Sequence, residues 1–186
     1  MKVAVITPYY DESIDVLRRC HDSVRNQTTQ VKHIMIGDGH SRELIDSWKA
    51  EHYKLPYPHS DAGATPRAIG AISAFSRGYD VVMFLDADNW YEPPHVQTLV
   101  GVLQESGADA AIGTRTIHSI SGSEMYVDRI ESNGENMIDT NTWALTRAAL
   151  PYLHAWIVDS SQRLWSDRYF DHAMRNSGLK IARCHV

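Results

Sequence analysis

At 186 residues, with 43% apolar and 22% charged content, the chain suits one domain with a sizeable core and leaves no room for a second full one. A net charge of −5 with no Lys/Arg block argues against nucleic acid or an anionic membrane surface as partner. No stretch approaches the ~20 apolar residues of a membrane span, and the apolar run after Met1 is cut at Pro8, too short for the core of a signal peptide.

Lys2–Thr7 predicts a first strand. Ile14, Leu17, Cys20 and Val24 then share one face of a helix whose N-cap is Asp11 or Ser13. Val31–Ile36 predicts a second strand, ending in Gly37-Asp38-Gly39. Leu44, Ile45 and Trp48 follow at helical spacing, and Lys54–Tyr57 reads as an edge strand because Pro56 and Pro58 cannot donate to a ladder. Ala68, Ile69, Ile72 and Phe75 predict a helix closed by Gly78. Val81–Leu85 is an unbroken apolar run, expected of a strand buried on both faces. Pro93 or Pro94 opens a helix carrying Val96, Leu99, Val100 and Leu103, and Asp109–Gly113 predicts another strand. Strands alternating with helices call for an α/β, Rossmann-like fold: a mostly parallel central sheet with helices on both faces. After residue 114 the rhythm weakens. Ser119–Asn136 is polar and lacks periodicity, Asn141–Thr146 predicts a strand, Arg147–Leu153 a short helix, and Ser166–Asn176 a longer one stopped by Gly178. Leu179–Val186 predicts a last strand running into the end of the chain, which suits a fragment or one domain of a longer protein.

The two cysteines, Cys20 and Cys184, lack metal spacing, and Cys20 shares a helix face with Leu17 and Val24. A reduced core thiol and a cytoplasmic setting are expected. The ten histidines form no His-x-x-x-His or Cys/His cluster, so no zinc site is expected.

The stretch that carries most chemistry is Asp86-Ala-Asp88, at the carboxyl end of the Val81–Leu85 strand. Side chains two apart in an extended backbone face the same way, and open α/β sheets bind ligands at this edge. Two close carboxylates call for a cation, and a divalent ion with oxygen ligands answers that need. A solvated acidic turn before Pro93-Pro94 is the competing reading. At the first strand's exit, Pro8-Tyr9-Tyr10-Asp11-Glu12 offers aromatic surface for a base or, equally, a Pro-Tyr turn packed on the core. Asp38 could accept the ring N3–H of uracil or thymine, or a guanine donor, or simply close an Asp-Gly turn. Asp61–Gly70 is rich in small residues ahead of a helix, where Arg67 and the free N–H groups could receive phosphate.

In combination, these stretches resemble family-2 glycosyltransferases with the GT-A fold. Pro8, Tyr10, Asp11 and Glu12 resemble the family's Pro-x-Tyr-Asn-Glu, with Asp11 in place of Asn. Gly37-Asp38-Gly39 is similar to its Asp-Asp-Gly, with Gly37 departing from the pattern and His40 where Ser is usual. Asp61–Gly70 resembles Gly-Gly-x-x-x-Ala-Arg-Asn-x-Gly, and Asp86-Ala-Asp88 the Asp-x-Asp segment. The resemblance implies a single domain over 1–186, with 1–114 holding a nucleotide sugar and 115–186 facing the acceptor. It implies a UDP- or dTDP-sugar donor, a saccharide or other hydroxyl acceptor, and Mn²⁺ or Mg²⁺ as cofactor. Asp38 would read the base, Arg67 lie near the diphosphate, Asp86 touch the ribose or sugar, and Asp88 ligate the metal, with His185 as a further ligand. Ser166-Asp167-Arg168 resembles the family's Glu-Asp, which makes Asp167 the base of an inverting displacement, with Asp159 in reserve; the same donor site would equally serve a retaining transfer. Trp143, Trp156 and Trp165 could stack on acceptor sugars or fill the core.

Overall fold

A computed structural model describes residues 1–119, 123–128, 138–157 and 165–184. In chain order these form β1 (Val3–Tyr9), α1 (Ile14–Arg25), β2 (Val31–Asp38), a 3-10 turn (Glu43–Ser47), β3 (Glu51–Leu55), α2 (Ala64–Ser76), β4 (Val81–Phe84) and α3 (His95–Ser106). There follow β5 (Ala110–Ile112), β6 (Arg115–His118), β7 (Glu124–Asp128), a 3-10 turn (Thr140–Thr142), β8 (Trp143–Thr146), a 3-10 run (Arg147–Trp156), α4 (Ser166–Arg175) and β9 (Ile181–Arg183). Seven strands make one sheet in the order β3-β2-β1-β4-β8-β5-β9. Pairing is parallel except around β8, which runs against both β4 and β5. The mixed α/β architecture, with a mostly parallel sheet, is the one expected from the sequence.

Period two along the buried strands sorts the core into two layers. Ala4, Ile6, Val82 and Phe84 face α2, where they meet Ala64, Ala68, Ala71 and Phe75. Val3, Val5, Val81 and Met83 face Cys20 and Val24 of α1 and Val96, Leu99 and Leu103 of α3. Helix α2 is drawn onto the sheet at Gly70. A β-carbon there would fall 2.5 Å from Ile6 Cγ2 and 2.7 Å from Ile36 Cδ1, so only hydrogen fits.

Several elements differ from expectation for identifiable reasons. Strand β3 is the sheet edge as anticipated but covers 51–55, ending just before Pro56. The stretch carrying Leu44, Ile45 and Trp48 makes one 3-10 turn, Glu43–Ser47, rather than a helix. The polar stretch after 114 contains the two-stranded β6–β7 hairpin, whose second strand is exposed at Glu124–Val127, so no core-facing alternation marks it. Ser13 is the N-cap of α1, its hydroxyl accepting from Val16 N at 3.4 Å. Among the described residues no helix is long and apolar enough to cross a membrane. Cys20 and Cys184 are both free and buried, and burial pushes the Cys20 thiol up to about 12, which keeps it protonated and inert.

Two histidines are sealed under α1. His21 Nδ1 and His33 Nδ1 lie 2.8 Å apart in a stacked pair, and His33 Nε2 bonds Thr7 Oγ1 at 2.9 Å. One ring must donate and the other accept, so the two cannot both be protonated, and burial favours the neutral forms. Burial lowers His21 to about 4, and burial together with His21 holds His33 well below its ordinary value. Burial also takes His95 to about 4. A folded-state value below the unfolded one means the unfolded chain takes up protons first. Stability is therefore full above about pH 6.5 and lost as pH falls from there towards 4, with a slope of order 1.4 kcal/mol per pH unit per histidine. Melting curves from pH 8 to 4 should be flat and then fall; a midpoint unchanged down to pH 5 would contradict the buried neutral pair. Gly70→Ala should cost about 1–3 kcal/mol through overpacking, read as a lowered denaturation midpoint.

Candidate functional site

Strands β1, β2 and β4 run in parallel, so their carboxyl ends meet at one rim. A cleft of about 570 Å³ opens there, and Pro8, Tyr10, Glu12, Asp38, Arg67, Asp86 and Asp88 all contribute to its walls. The cleft thus gathers residues from four stretches that lie far apart in sequence.

At its centre stands an arginine between two acids. Arg67 is only 4% exposed; it donates from Nη2 to Asp86 Oδ1 and from Nη1 to Ala62 O at 3.1 Å. Its Nη1 also stands 3.7 Å from Asp167 Oδ1, in the first turn of α4. Asp167 Oδ1 is shut off from solvent and has no hydrogen-bond partner among the described residues, so Arg67 is its neighbouring charge. The second oxygen of Asp86 accepts from Asn141 Nδ2 at 3.0 Å, and the Asp86 N–H donates to Asn141 Oδ1 at 2.6 Å. Burial works to raise the Asp86 carboxyl, but the Arg67 charge and then the hydrogen bonds from Arg67 and Asn141 hold it below the ordinary carboxylate value.

The turn that delivers Arg67 is strained. Ser60 and Ala62 have φ of 54° and 58°, and Gly63 has φ 81° immediately before α2. Such backbone in non-glycine residues costs of order 1 kcal/mol or more each and concentrates at functional sites. Asp61 steadies the turn by accepting from Thr65 N at 2.9 Å.

At the far end of the cleft Asp38 is nearly buried. Its Oδ1 bonds His59 Nδ1 at 2.6 Å, and both oxygens lie 3.1 Å from the His59 N–H. Tyr10 is 44% exposed and meets His40 edge-on at 4.3 Å, leaving aromatic surface beside Asp38. Glu12 turns back to accept from Tyr10 N at 2.7 Å, shaping the loop. The glycine at 37 also has a local cause. A β-carbon there would lie 2.7 Å from Tyr9 Oη and 2.9 Å from Tyr9 Cζ. That phenol is fixed by Arg42 N at 2.9 Å and His52 Nε2 at 2.6 Å, and His52 in turn bonds Asp46 at 2.6 Å. Tyr9 fills the space that a side chain at 37 would need.

Asp88 is exposed, and its carboxylate has no hydrogen-bond or ion-pair partner among the described residues, whereas Asp86 is spent on Arg67 and Asn141. This donor set fits a magnesium- or manganese-type ion held by one carboxylate plus ligand phosphate oxygens better than a cation caged by protein alone. Among the described residues no group of three metal-binding side chains occurs. His185 and Asp159 lie outside the described residues. Asp88 also borders a second cavity of about 770 Å³, walled by α1, α3 and the β6–β7 hairpin, on the opposite side of the sheet from α2. Trp143 and Trp156 are wholly buried in the core against Phe170, while Trp165 is 48% exposed. Sequence reasoning missed His59 and Asn141, since neither belongs to a recurring motif and each acts through a residue distant in the chain.

The family model described as Glycosyl transferase family 2 matches residues 4–169. The chain therefore belongs to glycosyl transferase family 2. Glycosyltransferase GlyA of Streptococcus pneumoniae serotype 4 (strain ATCC BAA-334 / TIGR4) is 30% identical over an alignment of 188 residues, which covers 91% of this chain and 26% of that protein. The chain thus spans about a quarter of that relative's length. Among solved structures, S. aureus TarS 1–349 in complex with UDP superposes with a TM-score of 0.71 at 14% identity, covering all of this chain and 61% of TarS 1–349. The same protein in complex with UDP-GlcNAc gives 0.64 at 13% identity, covering 100% and 59%. A CMP:2-keto-3-deoxy-manno-octonic acid synthetase complexed with CTP gives 0.63 at 10%, covering 100% and 90%. These likenesses agree on the fold expected from the resemblance.

Gly37→Asp, which installs the residue usual in the family, is expected to cost about 1–3 kcal/mol by driving a side chain into Tyr9. Urea denaturation would show it; unchanged stability would mean that Tyr9 yields easily.

Proposed function

We propose that this chain transfers a glycosyl group from a UDP- or dTDP-sugar to a hydroxyl acceptor, by direct displacement with inversion. The observation that carries the reading is the convergence of Asp38, Arg67, Asp86 and Asp88 on one cleft, with Asp167 outside its wall but 3.7 Å from Arg67 Nη1. Family membership supports sugar transfer, and a UDP-sugar donor is in keeping with the UDP and UDP-GlcNAc bound by the TarS neighbours.

In this reading Asp38, steadied by His59, accepts the N3–H of uracil, and Tyr10 covers the base. Asp86 faces the ribose or sugar, and Asp88 would hold Mg²⁺ or Mn²⁺. When bound, that ion offsets the charge on the departing diphosphate. Asp167 takes the acceptor hydroxyl's proton as the oxygen attacks the anomeric carbon; the bond to the diphosphate breaks and its electron pair leaves with the phosphate. The acceptor, a glycan or lipid-linked saccharide, approaches from the 115–186 half. Placement in the cytoplasm belongs to the same proposal, supported by two free, buried thiols.

A nucleotidyl transferase shares the sheet, as the CTP-bound synthetase shows, but would need basic residues at the first strand's exit, and Val5–Glu12 has none. A non-catalytic nucleotide binder is separated by mutation. Asp167→Asn should keep nucleotide affinity and lower the transfer rate by about 100-fold or more; transfer at the wild-type rate would remove Asp167 as base. Thermal-shift assays with UDP should show stabilisation that grows with Mn²⁺ and loses that increment in Asp88→Ala. No UDP response with either ion would overturn the donor assignment.

A further inference from the structure

Asn141 occupies a place that no motif marks. It sits in the 3-10 turn just before β8, and because β8 is antiparallel to β4 that turn arrives at the carboxyl rim of the parallel strands. Its amide grips Asp86 at two points: Oδ1 accepts from the Asp86 N–H at 2.6 Å and Nδ2 donates to Asp86 Oδ2 at 3.0 Å. The same Nδ2 donates to Asp139 Oδ1 at 2.7 Å, and the Asn141 N–H donates to that oxygen at 2.8 Å. Asp139 is in turn paired with Arg115 of β6, which also reaches Asp128 of β7 at 3.1 Å. The chain of contacts runs from the rim carboxylate to the hairpin.

We propose that Asn141 is a positioning residue for the transfer reaction: it fixes the direction of the Asp86 carboxylate and links it, through Asp139 and Arg115, to the β6–β7 hairpin. The proposal rests on the reading that Asp86 faces the donor. The chemistry selects an amide over its neighbours in size. Only a side chain with one acceptor and two N–H donors satisfies an amide N–H and two carboxylates together. Aspartate at 141 could accept from the Asp86 N–H but would set a third acid against Asp86 and Asp139. Alanine would leave one Asp86 oxygen without its donor and free the carboxylate to turn about Arg67.

Two measurements test this, one independent of any donor. In the ligand-free protein, hydrogen exchange of the Asp86 amide should speed by about 10-fold or more in Asn141→Ala, while the β4 amides of Val82–Phe84 keep their protection. Equal acceleration across β4, or no change at Asp86, would make Asn141 a general structural residue and overturn the proposal. The second is a double-mutant cycle on UDP-GlcNAc binding with Mn²⁺, by calorimetry. Asn141→Ala should weaken binding about 10- to 100-fold in the wild-type background and change it less than about 2-fold in Asp86→Ala. Asn141→Asp should be weaker still. A loss of the same size in both backgrounds would show that Asn141 does not act through Asp86. Wild-type protein that fails to bind any of a panel of nucleotide sugars would instead overturn the donor reading, and the exchange measurement would still decide the role of Asn141. Should Asn141→Ala fold poorly, Asn141→Ser, which retains one hydroxyl, carries both measurements.

Discussion

A carboxylate drawn out of water at the edge of a sheet needs a counter-charge, and here one guanidinium serves two acids. Arg67 is buried between Asp86 on the β4 rim and Asp167 on α4, so helix and sheet are joined by charge at the point where the chemistry is proposed. Pairs of this kind, with a buried guanidinium and partly exposed acids, add little net stability, because desolvation of the arginine offsets most of the attraction. Their value lies in geometry, since removing one member strands the others. The arrangement also settles which rim acid is available. With Asp86 occupied on both oxygens, Asp88 is the acid that faces the cleft open-handed.

The rest of the fold can be understood as the means of bringing that arginine and its partners together. Three parallel strands end at one edge, Gly70 lets α2 lie close on Ile6 and Ile36, and the strained Ser60–Gly63 turn aims the first turn of α2 at the rim. The reversed strand β8 completes the set. A parallel strand in its place would put the preceding residues at the opposite edge; an antiparallel one brings Asn141 to Asp86.

Much of this was legible in the sequence, and unevenly so. Strands β1, β2 and β4 announced themselves as apolar runs, and the rim acids followed directly from where those runs stop. Helices α1, α2 and α3 were readable from spacing because one face of each is apolar. The hairpin was not, since Glu124–Val127 is exposed and nothing in its pattern reports a buried side. Asp38, Arg67, Asp86 and Asp88 were identifiable by motif, but their mutual relations were not. No local signal tells that His59 would hold Asp38 or that Asn141 would hold Asp86, because those contacts span 21 and 55 residues. Among the tryptophans, the split between the buried Trp143 and Trp156 and the exposed Trp165 depends on how α4 packs, which composition does not encode.

Tyr9 and Gly37 lie opposite each other on neighbouring strands and share a single volume. The two positions are therefore coupled by packing. The Tyr9 ring in its present place and a side chain at 37 compete for that volume, so an acid at the second site would have to displace the phenol. Displacing the phenol would in turn give up its hydrogen bonds to Arg42 and His52, so the glycine and that small network stand or fall as a unit.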